Sequence, residues 1–563
     1  MTGSRWILRP SRPESEVISR ELGIPLPIAQ ILVNRNIDSP QSAHQFLYGD
    51  LSGLLDPYLM AGMAESVFRI KEAIARREKI LIFGDYDVDG ILSVVMLHKA
   101  LESLGAEVDY FIPERLKDGY GIKTEHIDIV TQKRAGLVIS VDCGVKAVQF
   151  VREAKSRGID VIITDHHRPG AELPPAVAIL NPMLAANGYP DKGLAGVGVV
   201  FKLIQALFED AGRSRLIPHY IKLVAIGTIA DVVELRGENR LLAKYGLRGL
   251  ETVVNLGLRT LLDSCGLVNK RVSEGDVGFR IGPRINAAGR MGMTDLAVRL
   301  FFSKSPEECL DIVSRLETLN RKRQSTEERI FKQASQTIRT RALEKRYRFL
   351  VMGCEEWHRG VIGIVAARLK DAFHLPVLLF AYENGKAFGS GRSISEFSMI
   401  DCLDQCRHLF ISYGGHTYAV GCSLERDRMS SFRALVNELA AARITDADLQ
   451  RKIPIDTRLC LDEIQPVLLK DYVLLWPFGM GNPKPVFMTE RVKVASPPQT
   501  IQGKHAKFLV KQNGRTVEAL GWDKADWAAA IKKGDEIDIA YSLRFSEYMG
   551  EEKVSLSLED IRT

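Results

Sequence analysis

The sequence predicts an α/β protein: a parallel-sheet domain, joined by a long helix to a second α/β domain, and then a C-terminal β-barrel. Three observations predict it. From about Met60, short apolar runs alternate with segments of helical spacing, a pattern that makes right-handed crossovers and a parallel sheet. A helical pattern, one long helix or a helical pair, then runs from Ser305 to about Arg346, rich in Lys and Arg from Arg321 to Arg348, before the alternation resumes. Beyond Arg451, short strands separated by turn signals take over. At 563 residues the chain exceeds a single core. The expected parts are a helical cap (1–55), the first α/β domain (56–300), the connecting helix (301–346), the second α/β domain (347–450) and the barrel (451–563).

Composition narrows the class. Hydrophobic residues at 46% and charged residues at 26% are an ordinary globular balance. The net charge of +6 permits a polyanionic partner without requiring one. Eight cysteines show neither a disulfide framework nor paired CxxC spacing, and Cys402, Cys406 and His408 read as one helix face. No apolar run is long enough to span a bilayer, and the first ten residues lack a signal-peptide core. The expectation is a cytoplasmic protein with reduced thiols and no membrane partner.

Taken in order, the first fifty-odd residues read as short helices punctuated by Pro25, Pro27 and Pro40, a cap over the next domain. A helix over 65–76 leads to the run Ile80-Leu81-Ile82-Phe83-Gly84, a buried parallel strand. It breaks into Asp85-Tyr86-Asp87-Val88-Asp89-Gly90, and helical spacing follows over 91–104. Three acids thus sit at the carboxyl end of a strand, where open α/β sheets bind ligands. Crowded carboxylates repel, and oxygen-rich clusters suit Mg²⁺ or Mn²⁺. Later strands over 107–112, 137–141, 160–164 and 176–180 deliver Asp142-Cys143-Gly144, Asp165-His166-His167 and Asn181-Pro182 to the same edge. That convergence is more specific than any one motif.

The glycines before the helix over 194–210 (Gly193, Gly196, Gly198) fit phosphate binding or helix packing equally. An apolar helix over 217–233 carries Asp231, a partly buried acid for which a metal is a good partner. The stretch from Gly282 to Gly292, with Arg284, Asn286 and Arg290, reads as a glycine-rich loop able to approach phosphates. In the second α/β domain, Gly389-Ser390-Gly391-Arg392-Ser393 and Gly414-Gly415-His416 would cradle phosphate through glycine-freed amides. In the barrel, Asn513-Gly514 marks a hairpin, and the strand spacing fits the OB type. There Lys504, His505, Lys507, Trp522, Tyr541, Arg544, Phe545 and Tyr548 mix cations with flat rings, as a single nucleic-acid strand requires.

Asp85 to Gly90, Val141 to Gly144, Asp165 to His167 and Ala230-Asp231 occur in the order that resembles the DHH phosphoesterase superfamily. Gly414-Gly415-His416 resembles its companion DHHA1 domain. Pro283-Arg284-Ile285-Asn286, the stretch from Pro477 to Pro483 and the terminal barrel are similar to the bacterial single-strand-specific exonucleases of that superfamily. The resemblance covers nearly the whole chain and implies a 5′→3′ exonuclease that releases mononucleotides from single-stranded DNA in repair and recombination. It implies two ions, Mn²⁺ or Mg²⁺. Asp89, Asp142, His166 and Asp231 would hold one; Asp87 and Asp142 the other, with Asp85 close by and Asp142 bridging. His167 would face the scissile phosphate and Asp165 would orient a ligand from behind. Arg284, Asn286, Arg290, Ser390, Arg392, Ser393 and His416 would grip the strand. Single-strand binding protein and a RecQ-type helicase are the implied partners. Two cations flanking one phosphorus suit the residue types, since they stabilise attacking and leaving oxygens alike. Two alternatives stay open: a superfamily enzyme acting on short oligonucleotides, cyclic dinucleotides or pyrophosphate, and a non-catalytic strand-binding factor, against which the intact set of acids argues.

Overall fold

In a computed structural model, residues 4–114, 119, 121–548 and 551–563 are described, with backbone alone at 546–548 and 551–552. They form two compact units: Leu55–Val233 with Tyr245–Gln450, and Met1–Leu54 with Glu234–Lys244 and Arg451–Thr563. The chain opens with strand β1 (Arg5–Leu8) and helices Pro13–Leu22, Leu26–Val33 and Pro40–Tyr48.

The larger unit begins with β2 (Ile80–Gly84), β3 (Val108–Phe111), β4 (Leu137–Val141), β5 (Asp160–Thr164) and β6 (Ala178–Leu180). All pair in parallel, in the order β3-β2-β4-β5-β6. Strands β2 and β4 are buried along their whole length, because helices cover both faces of a parallel sheet. Leu81, Phe83, Val138 and Ile163 pack against Phe150 and Val151 on one face. Helices Val88–Ser103, Gly196–Asp210 and Ile221–Ala230 pack together on the other. From β2 the chain goes to β3 on one side and then to β4 on the other. A crevice therefore opens between the carboxyl ends of β2 and β4.

The glycine-rich stretch expected as a loop over 282–292 is instead helix Gly282–Arg290, entered from a π-turn at Val277–Ile281. Pro283 sits in the first turn, where its missing N–H costs nothing. A Cβ on Gly289 would stand 2.3 Å from the Tyr86 carbonyl, so this glycine serves close packing rather than loop freedom.

Helix Pro306–Thr340 runs 35 residues from a Ser305 cap, whose Oγ accepts from the Glu308 amide at 3.2 Å. Ile330, Ala334 and Ile338 in its second half enter a core with Trp357, Val361 and Val365. Arg368 binds Glu327 and Glu328 of the helix, each at 3.1 Å. The second sheet contains β7 (Leu350–Cys354), β8 (Val377–Glu383), β9 (Lys386–Arg392), β10 (Phe410–His416) and β11 (Ala419–Glu425), in the order β10-β11-β9-β8-β7. Only β7 and β8 pair in parallel. Gly389 and Gly391 on β9 and Gly421 on β11 lie in central strands whose amides are spent on the ladder. An amide cradle there is therefore corrected to a sheet face.

The smaller unit holds β12 (Lys452–Ile455), β13 (Thr457–Arg458), β14 (Phe487–Val494), β15 (Gln499–Ile501), β16 (His505–Gln512), β17 (Arg515–Gly521), β18 (Glu536–Tyr548) and β19 (Glu551–Arg562). The ring β14-β18-β19-β17-β16 closes through β14–β16 pairing, giving a five-stranded barrel. Asn513 and Gly514 take φ of 48° and 80°, as a tight hairpin turn demands. The N-terminal helices, expected to cap the first α/β domain, share a core with the barrel instead: Ile18, Ile28 and Leu32 pack with Tyr472, Phe487 and Tyr541. β1 pairs in parallel with β12. Arg240 donates to the carbonyls of Phe46, Leu474, Leu475, Trp476 and Pro477. Four successive carbonyls, from Leu474 to Pro477, thus form a dock for this buried arginine at the start of the Pro477 to Pro483 stretch.

Trp522 is half-exposed beside His505 at 4.8 Å, with Arg544 over its ring at 4.9 Å. Tyr541 is core, 3.0 Å from the Thr489 hydroxyl, and the side chain of Tyr548 lies outside the described residues. Among the described residues no helix is long and apolar enough to cross a membrane.

Candidate metal centre

Each acid reaches the crevice through a specific local device. Asp87 caps helix Val88–Ser103, accepting from the Gly90 amide at 3.1 Å. A Cβ on Gly90 would lie 2.4 Å from the Asp85 carbonyl, so only glycine lets the turn close. Asp89 is buried and accepts from the Gly196 and Val197 amides, at 2.7 and 2.6 Å, where the positive end of helix Gly196–Asp210 favours a carboxylate. A Cβ on Gly196 would stand 2.8 Å from Asp142 Oδ1. The glycines at this helix start therefore admit two acids rather than a phosphate.

Asp142 follows β4 with φ of 59°, a left-handed conformation that costs about 1 kcal/mol in a non-glycine residue. Its amide donates to the Thr164 carbonyl at 2.9 Å, holding the turn. Asp165 follows β5 and is saturated: Oδ1 accepts from the His166 and His167 amides and pairs with His167 Nδ1 at 2.8 Å, while Oδ2 accepts from the Val145 amide. Asp231 ends helix Ile221–Ala230, and Val232 after it has φ of 63°, a strained value for a β-branched residue.

These devices converge on one point. His166 Nε2 lies 3.2 Å from Asp142 Oδ1, 3.6 Å from Asp231 Oδ2 and 3.9 Å from Asp89 Oδ2. Oxygens of Asp85, Asp87 and Asp142 all fall within 4.8 Å of one another. Asp142 is common to that group and to one with His166 and His167. Ligands at right angles on an ion bound at about 2.1 Å are about 3 Å apart, so this spacing fits.

Burial, then the charge of Asp87, pushes Asp89 up to about 7. Burial and the neighbouring carboxylates hold Asp142 and Asp231 well above the usual range. Burial, then the charge of His167, lowers His166 to about 4. This leaves a neutral imidazole at neutral pH, with its Nε2 toward three acids. Lone pairs so arranged repel unless a cation lies among them. Asp165 behaves oppositely: burial raises it, but the hydrogen bond and charge of His167 outweigh that and its carboxyl ends low. His167 is correspondingly raised: burial opposes the charge and Asp165 overcomes it.

Beside the centre lies a cleft of about 820 Å³, walled by Tyr86, Asp165 and His167 on one side and by the face of β9, β10 and β11 on the other. Of the residues expected to grip a strand, Ser390 and His416 line it. Arg290 borders it, donating to the Gly360 carbonyl at 2.9 Å. Arg284 does not reach it: it is spent on Glu317 at 2.6 Å and on the Arg280 carbonyl. Asn286 sits half-buried on the same helix, away from the lining. Ser393 is buried and donates to the Phe397 carbonyl, and Arg392 turns to the Gly391 carbonyl. The sequence reading missed Lys146 and Arg359, which line the cleft and make no ion pair or hydrogen bond among the described residues. Single basic residues outside a recognised motif carry no signal of their own. Cys402 and Cys406 are buried in an apolar core, and the groups able to hold a metal among the described residues are those of this centre.

A parallel sheet that delivers acids and a histidine pair to its switch point defines a metal-dependent phosphoesterase of the DHH class. Residues 79–228 match the DHH family N-terminal domain, 346–442 the DHHA1 domain and 455–560 the RecJ OB domain. The single-stranded-DNA-specific exonuclease RecJ of Bacillus subtilis (strain 168) is 36% identical over 99% of this chain and 70% of its own length. The RecJ of Escherichia coli (strain K12) is 32% identical over 96% of each chain. A crystal structure of Thermus thermophilus RecJ with Mn²⁺ superposes with a TM-score of 0.85 at 30% identity, over 99% of this chain and 79% of that one. The chain belongs to the RecJ family.

Proposed function

We propose that this chain is a 5′→3′ exonuclease that degrades single-stranded DNA to mononucleotides by hydrolysing phosphodiester bonds at a centre of two divalent ions, Mn²⁺ or Mg²⁺. The observation that carries it is the cage itself: Asp89, Asp142 and Asp231, buried or half-buried, place carboxylate oxygens within 3.9 Å of the neutral His166 Nε2. In this reading Asp89, Asp142, His166 and Asp231 hold one ion, and Asp85, Asp87 and Asp142 the other. The ions, when bound, polarise a water and neutralise charge on the attacking and leaving oxygens.

The chain's own groups do the rest. Asp165 fixes the His167 ring through Nδ1, so that its other nitrogen can reach a phosphate oxygen. Asn181 holds the same residue from behind, donating to the His167 carbonyl at 2.8 Å. Lys146 offers charge to the flanking phosphates, with Ser390 and His416 opposite His167. Residues 56–300 and 347–450 would be the catalytic pair, joined by 301–346, and the barrel over 451–563 would hold the strand through Trp522, His505 and Arg544. Repair and recombination in the cytoplasm, with single-strand binding protein and a RecQ-type helicase as partners, complete the proposal.

The test is digestion of long single strands blocked at either end. Mn²⁺-dependent release of mononucleotides that stops with a 5′ block but continues with a 3′ block supports the proposal. Cleavage of dinucleotides alone, or indifference to the blocked end, rejects it.

A further inference from the structure

We propose that the Arg359–Phe388 pair is a shelf for the terminal nucleobase of the substrate, holding each nucleotide by its flat face rather than by its sequence. The proposal rests on the exonuclease reading above and adds the subsite that makes it indifferent to sequence.

The argument starts from register. Phe388 pairs across the sheet with Ser423, and Ser423 with Ser412; Ser390 pairs with Gly421, and Gly421 with Gly414. Alternate residues share a face, so the cleft floor is a row of one ring and two serines beside a row of one serine and two glycines. The third row ends in His416, which lines the cleft together with His167, at its metal end.

Gly414 and Gly421 are informative because nothing among the described residues requires them. Neither has a positive φ, and a Cβ on either would meet no atom of the described residues within 4 Å. Glycine weakens the interior of a strand and marks sites where another molecule approaches the backbone. A ligand lying on the floor supplies the reason.

At the far end of the floor the Arg359 guanidinium lies 3.8 Å from the Phe388 ring centroid. Four residues of strand separate Phe388 from the Arg392–His416 row, roughly 13 Å. That is comparable to the reach of one nucleotide from its phosphate to the far edge of its base. With no carboxylate partner among the described residues, Arg359 packs over the ring. Guanidinium planes and aromatic rings both stack on bases, whatever the base. The nearby Ser412 and Ser423 hydroxyls bond each other at 2.7 Å, which spends one of their two protons.

The experiment compares binding of dAMP and of 2-deoxyribose 5-phosphate to the full chain in Mn²⁺, for the wild type, Phe388→Ala and Arg359→Gln, with melting temperatures confirming that each variant folds. Stacking is worth about 1–3 kcal/mol per base, so the wild type is expected to prefer dAMP by about fivefold or more. Both variants are expected to cut that ratio to about threefold or less, while Phe388→Ala leaves the affinity for the base-free sugar phosphate within about twofold. A wild type without preference, or variants that keep it, overturns the shelf. The ratio is read from binding, so a failed strand-digestion assay would reject the proposed activity without altering it.

Discussion

Asp142 Oδ1 lies 3.2 Å from His166 Nε2, and neither atom makes a hydrogen bond among the described residues. A buried acceptor left in that state costs about 1–3 kcal/mol, more if charged. Two such atoms side by side, with Asp231 and Asp89 close by, are relieved by a cation among them or, without one, by protons on the acids.

Asp142→Ala is therefore expected to abolish strand cleavage, by a factor of at least about 1000, while strand binding stays within about tenfold. Filter binding and a nuclease assay on one preparation check this. Unchanged turnover would contradict it.

The acids also set a pH dependence. Asp89, Asp142 and Asp231 are all raised above the values they hold in the unfolded chain, Asp89 to about 7. Without metal, the folded state keeps protons that the unfolded state gives up near pH 4. The contribution of Asp89 to stability is thus present below about pH 4 and is lost as pH rises through about 7, and those of Asp142 and Asp231 are lost in the same direction. In EDTA, Asp89→Asn should gain in melting temperature relative to the wild type between pH 5 and pH 8. Adding Mn²⁺ should raise the wild-type melting temperature more at pH 8 than at pH 5, because at the lower pH the ion must displace protons.

Gly196→Ala tests the packing behind the cage. The new methyl would fall 2.8 Å from Asp142 Oδ1 and 2.9 Å from its Cβ. Either the carboxylate or the helix start must shift, and the Asp89 contacts with it. Calorimetry should show Mn²⁺ affinity down by about tenfold or more, in a protein that still melts cooperatively.

Arg240→Met tests the barrel dock. Five carbonyls lose a buried guanidinium that also lies 3.6 Å over the Phe46 ring. Stranded buried acceptors should cost roughly 3 kcal/mol or more in urea unfolding. A change below about 1 kcal/mol would show that the dock is not structural.

Much of this was legible because strand ends announce themselves. A short apolar run that stops in an acid can be read without neighbours, and Asp85, Asp142 and Asp165 each follow such a run. Asp231 ends a helix and was readable from the apolar stretch before it. The substrate side was less legible. Arg284, Arg392 and Ser393 stand in glycine-rich stretches that look like loops, yet tertiary packing puts Arg284 on a helix, Arg392 at the end of a strand and Ser393 just past it, and turns those side chains to Glu317, Gly391 and Phe397. Gly282 and Gly289 mark close approach within a helix, which sequence cannot tell from a flexible loop. The N-terminal helices have apolar faces whose partner lies more than four hundred residues away in sequence, at Tyr472 and Phe487, and nothing local says so.

The most direct measurement is anomalous scattering from a crystal soaked in Mn²⁺. Two manganese peaks should appear, one among Asp89, Asp142, His166 and Asp231 and one among Asp85, Asp87 and Asp142, with Asp142 touching both. No peak among these side chains, or side chains too far apart to share one, would contradict the account.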